Sequence, residues 1–361
     1  MTKACTRCGV PETRAVDAHG TFHVLLPTEH GRQKVAARFR ETDREVSSTR
    51  LMVSVRVAGD LEAVVGATGE QLTSVERAEA RAFFAPGDAA PSTEDAMAAE
   101  PFEDFRARLR ASWLGDMIRE RRLVSMLQPI VRTGTRELYA YECLVRGVVE
   151  RSLVTPDRLF EVARASGMLP QLDVAARRAG VQSASRRPGE HHVFVNFTPS
   201  SVYDPRFCLR TTLEAIREVG IAPSRVVFEV VESEHIADVD HVRSILDAYR
   251  AEGFKVALDD LGSGYASLGL LNALRPDFVK IDMGLVRNVD SDPWKAAFMA
   301  KLLEAARAVG VLTVAEGIET PGELAWVEAH GADFAQGYFL GRPALPVDPD
   351  LVPASALVRE A

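Results

Sequence analysis

The chain has 361 residues, 47% hydrophobic and 26% charged, with 43 Lys and Arg against 51 Asp and Glu for a formal net charge of −8. That composition can fill a large core and suits two domains, or one barrel with an appendage. The acidic balance argues against sequence-independent binding to duplex nucleic acid or to an anionic membrane surface, but not against a small nucleotide held by local cations. No apolar stretch is long enough to span a bilayer, and the polar start Met1–Cys8 lacks the apolar core of a signal peptide. A cytoplasmic protein is expected, with its four cysteines kept as thiols.

In chain order, Cys5-Thr6-Arg7-Cys8-Gly9 comes first and resembles half of a zinc knuckle, with His19, His23 and His30 following. The spacing is near that of a zinc finger. However, the core aromatics expected between Cys8 and His19 are missing, and Phe22–Leu26 reads as a strand rather than a finger helix. Free or redox-active thiols at Cys5 and Cys8 therefore rank above zinc. The Arg32–Arg44 segment mixes basic residues with Glu41 and Asp43, as a solvated helix face does. Ala85–Ala96 is rich in Pro, Gly, Ala and acid and reads as a linker. After it, Phe102, Phe105, Leu109, Trp113 and Met117 recur at helical spacing.

From about residue 125, short apolar runs alternate with helical stretches. The runs are Met126–Val131, Tyr139–Arg146, Val193–Phe197, Val226–Val231, Lys255–Leu261, Phe278–Asp282, Leu312–Gly317 and Asp333–Tyr338. Helical patterns such as His241–Glu252 and Trp294–Val309 lie between most of them. Eight such units predict an α/β fold, a modified (β/α)8 barrel. Arg132–Glu137 is too short for a helical crossover, so the first two strands are expected to be antiparallel.

Polar residues gather at the C-terminal ends of these strands, the face that carries catalysis in such barrels. Glu142, Asn196, Glu229 and Asp259 come from four strands and would converge. All offer oxygen, which suits Mg²⁺ or Mn²⁺ rather than zinc. Asp260 and Glu316 could hold a second cation, with Asp259 as the bridge. Two cations suit phosphodiester hydrolysis. Lys280 sits on an apolar strand, where it belongs only if it faces these acids and helps orient water or offset phosphate charge.

From about residue 118 to 345 the sequence resembles the EAL-domain phosphodiesterases that hydrolyse cyclic di-GMP. Glu142-Cys143-Leu144-Val145-Arg146 is similar to the signature Glu-Ala-Leu-x-Arg, with Cys in place of Ala. Gln128-Pro129, Val195–Pro199, Phe228–Glu232, Asp259–Tyr265, Val279–Asp282, Ala315–Glu319 and Gln336-Gly337-Tyr338 resemble the remaining segments. The resemblance implies a first metal on Glu142, Asn196, Glu229 and Asp259, and a second on Asp259, Asp260 and Glu316. It implies that Lys280 and Glu316 hold or deprotonate the water. Glu232 would steady the loop after Asp260 and couple the metals to dimerisation. Gln128, Leu144, Arg146, Asp282, Glu319 and Gln336 would meet the substrate, and the product would be linear pGpG. Calcium would inhibit. Cys143, by strand alternation, would point away from the site as a small packed hydrophobe.

These readings divide the chain into a small α+β region at 1–84 that senses a signal or binds a regulatory partner, a linker at 85–100, a connecting helix at 101–121 and the barrel at 122–350. The expected function is a Mg²⁺- or Mn²⁺-dependent, homodimeric cyclic di-GMP phosphodiesterase with two cations per site. The competing readings are a catalytically silent cyclic di-GMP receptor acting through a protein partner, and a zinc-dependent regulator of DNA.

Overall fold

The computed structural model describes residues 19–42, 44–87, 92, 97, 99–149, 152–202, 205–230, 238–262 and 268–346. Cys5, Cys8 and Glu232 lie outside the described residues, as do most of the expected linker and Ser263–Tyr265. Two compact units emerge. One holds 19–120 with Asp157–Leu169; the other holds Arg121–Pro156 and the chain from Pro170 onward.

The first unit is a five-stranded antiparallel sheet. Strands β1 (His19–Leu25), β2 (Val46–Ser48), β3 (Met52–Ala58), β4 (Arg81–Pro86) and β5 (Glu100–Pro101) lie in the order β2-β3-β1-β4-β5. His19 and His23 are therefore on a strand, not a finger helix. His23 is buried, with its Nδ1 2.8 Å from Ser54 Oγ. The helix Glu29–Arg40 buries Val35, Ala36 and Phe39 and turns its charged residues outward.

The expected linker and connecting helix need correction. Ala85 and Pro86, expected in the linker, belong to β4, and Glu100 belongs to β5, which pairs antiparallel with β4. Phe102, Phe105 and Leu109 share a core with Phe22, Val24 and Val55. The helical pattern breaks at Ala111 into two helices, Phe102–Arg110 and Ser112–Arg119. A composition that suits a linker says nothing about whether its two ends pair.

The second unit is the expected barrel. Its strands are β6 (Leu123–Arg132), β7 (Leu138–Val149), β9 (His192–Phe197), β10 (Val226–Val230), β11 (Lys255–Leu261), β12 (Phe278–Ile281), β13 (Leu312–Ala315) and β14 (Phe334–Ala335). β8 (Ser152–Val154) extends β7 outside the ring. The ring closes because β6 pairs with both β14 and β7, antiparallel to each, while the others run parallel. One inward residue from each strand makes an apolar layer: Ile130, Ala140, Phe194, Val227, Ala257, Phe278, Val314 and Phe334. Helices outside the ring, such as Val239–Ala251 and Pro293–Ala308, bury one face each. Among the described residues no helix is long and apolar enough to cross a membrane.

Candidate metal centre

Side chains alternate along a strand, so the residue two positions beyond an inward one also faces in. Two steps toward the C-terminal mouth from the apolar layer are Glu142, Asn196, Glu229, Asp259, Lys280, Glu316 and Gln336. On β6, which runs the other way, the matching step is two residues back, to Gln128, paired with Glu142. The whole site is thus the next storey of the barrel interior.

Lys280 stands at its centre and is 2% exposed. Its Nζ lies 2.7 Å from Glu316, 3.1 Å from both Glu229 and Asp259, and 3.4 Å from Glu142. An ammonium has three N–H donors, too few for four carboxylates. The shortfall is visible: among the described residues neither oxygen of Glu229, nor Oδ1 of Asp259, accepts a hydrogen bond. Gln336 donates to Glu142 Oε2 at 2.6 Å and to Gln128 Oε1 at 3.1 Å, and Asn196 Nδ2 donates to Glu142 Oε1 at 3.2 Å. Gln336, expected to meet substrate, therefore orients Glu142, and Gln128 in turn holds Gln336.

Electrostatics follow from this crowding. Burial opposes ionisation of Glu142, but Lys280, Gln336 and Asn196 outweigh it and hold its carboxyl below the usual range. Burial pushes Glu229 well up despite Lys280. Glu316 is pushed up to about 8, by burial and then, against Lys280, by Asp259 and Glu142. Burial and the neighbouring Asp259 raise Asp260 to about 6. Burial disfavours the Lys280 ammonium, but its carboxylates hold its pKa well above normal. The cluster carries more negative charge than one lysine balances, and its donors are all oxygen. These residues fit hard divalent cations.

Asp260 joins the site through a backbone irregularity. Strict alternation would point Asp259 inward and Asp260 outward. The β11–β12 register shifts between Leu258 and Leu261, and Asp260 has φ +55. One extra residue at this bulge brings both carboxylates to the mouth. Oxygens of Asp259, Asp260 and Glu316 consequently lie within 4.8 Å of one another. Gly317 shows a similar constraint: its φ is +68, and a Cβ there would overlap the Met283 side chain.

A cleft of about 260 Å³ opens above this storey, lined among others by Asp260, Asp282, Glu316 and Glu319. Asp282 also caps the short helix Met283–Val286, and Glu319 pairs with Arg287. Leu144 and Arg146 continue the inward parity of Glu142, but neither lines this cleft. Arg146 donates to the Leu144 and Val145 carbonyls. Met283 and Tyr338 do line it, 42% and 52% exposed, and were not singled out as site residues. Met283 has no sequence signal beyond following Asp282, whereas Tyr338 closes the Gln336-Gly337-Tyr338 segment. Cys143 points outward, buried, with Sγ 3.4 Å from the Gly180 carbonyl.

The sequence model of the EAL domain matches residues 111–343. The chain belongs to the EAL-domain family. Its EAL domain is 30% identical over 227 residues to the cyclic di-GMP phosphodiesterase PdeF of Escherichia coli K12, covering 62% of this chain and 30% of PdeF. It is 29% identical over 235 residues to the cyclic di-GMP phosphodiesterase NbdA of Pseudomonas aeruginosa, covering 64% of this chain and 30% of NbdA. The chain spans between 29% and 53% of the length of the curated relatives it matches. Among solved structures, a standalone EAL protein of Vibrio cholerae in its c-di-GMP-bound form superposes with TM-score 0.57 at 32% identity, covering 63% of this chain and 97% of that one. A calcium and c-di-GMP complex of BlrP1 from Klebsiella pneumoniae covers 92% of this chain and 97% of that one, with TM-score 0.58. At 22% identity it is similar in fold alone.

Proposed function

We propose that the EAL domain hydrolyses cyclic di-GMP to linear pGpG, using two divalent cations, Mg²⁺ or Mn²⁺, at the polar storey of the barrel. The observation that carries this reading is the set of buried carboxylates that exceeds the hydrogen-bonding capacity of Lys280. Glu142, Asn196, Glu229 and Asp259 would hold one cation, and Asp259, Asp260 and Glu316 the other. When bound, the cations supply Lewis acidity and lower the pKa of a bound water.

The chain's own residues do the rest. Gln336 and Asn196 fix the Glu142 carboxylate from either side. Lys280 Nζ, 2.7 Å from Glu316, would orient the attacking water and offset charge on the phosphoryl group. Glu316 would take the proton of that water. Asp282, Glu319 and Tyr338 at the cleft wall would meet the dinucleotide, with Leu144 and Arg146 beyond it. The c-di-GMP-bound form of the Vibrio cholerae relative, at 32% identity, supports this choice of ligand.

The test is chromatography of cyclic di-GMP incubated with the protein and Mg²⁺ or Mn²⁺. The expected product is pGpG. Tight nucleotide binding without turnover in either metal would replace the enzyme with a receptor. Size-exclusion chromatography with light scattering checks the homodimer proposed alongside.

A further inference from the structure

Behind the metal centre, outside the ring, lies a charge pair that the chemistry above does not use. Asp173 and Arg177 stand one turn apart on the helix Leu169–Ala184 and are 2% and 1% exposed. Arg177 Nη2 lies 3.0 Å from Asp173 Oδ2. Arg177 Nη1 donates to the Tyr249 hydroxyl at 2.9 Å, on the helix Val239–Ala251. Asp173 Oδ1 accepts from the backbone N–H of Thr198 at 2.8 Å. A fully buried ion pair is a weak source of net stability, because desolvating two charges offsets most of their attraction. Its position suggests another use.

Thr198 is the first residue past β9, where the sheet ladder ends, and it lies two residues from Asn196. Asp173 supplies its N–H with the acceptor that the ladder no longer provides. The Thr198 carbonyl is tied as well, accepting from Ser201 Oγ at 2.6 Å. On the other side, the Tyr249 ring packs on Phe197 at 5.4 Å and on Phe228 at 4.4 Å between centroids. Phe197 follows Asn196 and Phe228 precedes Glu229, and Asn196 and Glu229 pair in register. The network therefore grips the chain beside two of the proposed metal ligands, on neighbouring strands.

We infer that Asp173 is a positioning residue: through the Thr198 N–H, and with Arg177 and Tyr249 behind it, it sets where Asn196 and Glu229 present their oxygens to the first cation. This rests on the metal reading proposed above. Groups that orient metal ligands in this way are commonly worth about 10- to 100-fold in metal affinity.

Two charge-balanced double variants of the full chain separate positioning from bulk stability. Asp173→Asn with Arg177→Gln keeps an acceptor for Thr198 N–H, whereas Asp173→Leu with Arg177→Met removes it. Mg²⁺ affinity is read by calorimetry and thermal stability by circular dichroism. The Asn/Gln pair is expected to bind Mg²⁺ within about threefold of wild type, and the Leu/Met pair about 10- to 100-fold more weakly while still melting cooperatively. Equal affinity in the Leu/Met pair overturns the inference. If that pair does not fold, Tyr249→Phe decides: about tenfold weaker Mg²⁺ binding supports the inference, and binding within about threefold of wild type overturns it. Wild-type protein that binds neither Mg²⁺ nor Mn²⁺ overturns the metal reading itself, and this inference with it.

Discussion

Two adjacent storeys of one barrel are built by the same eight strands and differ in almost every other respect. The lower is Ile130, Ala140, Phe194, Val227, Ala257, Phe278, Val314 and Phe334, packed ring on ring, with Phe194 and Phe278 edge to face at 5.3 Å. The upper, two residues along each strand, is a lysine among carboxylates and amides. The lower storey is satisfied by its neighbours. The upper is not: it crowds more carboxylates around one ammonium than that ammonium can satisfy, and the crowding raises the pKa of Glu229, Glu316 and Asp260. The general lesson is that a parallel barrel can keep frustration beside a dry, well-packed floor without either spoiling the other, because successive inward layers share a strand but no side-chain contacts of the same kind.

The sharpest way to break the comparison is to remove charge from the upper storey. Asp259→Asn should cut turnover of cyclic di-GMP by about 10³-fold, measured under saturating Mg²⁺, with the fold intact by circular dichroism. Glu229→Gln should reverse the usual sign of a core polar substitution. It removes a buried acid whose charge Lys280, shared among four carboxylates, only partly balances, so the metal-free protein should gain about 1–2 kcal/mol in urea unfolding while the stabilisation by Mg²⁺ disappears. A loss of metal-free stability would contradict the surplus-charge account.

Truncating the floor should do the opposite. Phe278→Ala removes a fully buried ring and should cost about 3–5 kcal/mol of stability, with kcat per folded molecule changed far less.

A smaller effect lies at the rim below the floor, where His192 stacks on Tyr139 at 4.4 Å. Burial, with Lys255, Arg225 and Arg132 adding repulsion, lowers its pKa to about 4. The unfolded chain takes up that proton near pH 6.5, so between about 6.5 and 4 it binds more protons than the folded one, and stability falls as pH falls through that window. His192→Phe should flatten this part of the stability–pH curve by roughly 1–2 kcal/mol, allowing for the partial exposure of the ring. The smallest effect is expected for Cys143→Ala, about 1 kcal/mol of stability and no change in turnover, because the thiol faces the outer helices. Burial raises its pKa well above normal, so it should resist alkylation until the protein unfolds.

Much of this was readable from local pattern. The β-branched and aromatic runs marked all eight barrel strands, and the short Arg132–Glu137 turn predicted the antiparallel start. The acids on successive strand ends were recognisable because inward parity is a local property. The pairing of β4 with β5 is not legible in the sequence, because which strands pair across an intervening segment is not a local property. Leu144 and Arg146 are expected at the substrate on motif alone, while Tyr338 reaches the cleft as the last residue of the Gln336-Gly337-Tyr338 segment and Met283 with no pattern of its own.

The sequence by itself determined which strands form, which way their side chains face and which residues carry oxygen, since each depends on neighbours within a few positions. Only the tertiary structure decided that these oxygens form one storey around one ammonium, because that depends on the stagger of eight strands around a closed ring. It also decided that Asp260 joins Asp259 instead of facing away. That reversal comes from the extra residue in the β11–β12 ladder and a left-handed backbone at Asp260, which the two adjacent aspartates do not specify without the strand beside them.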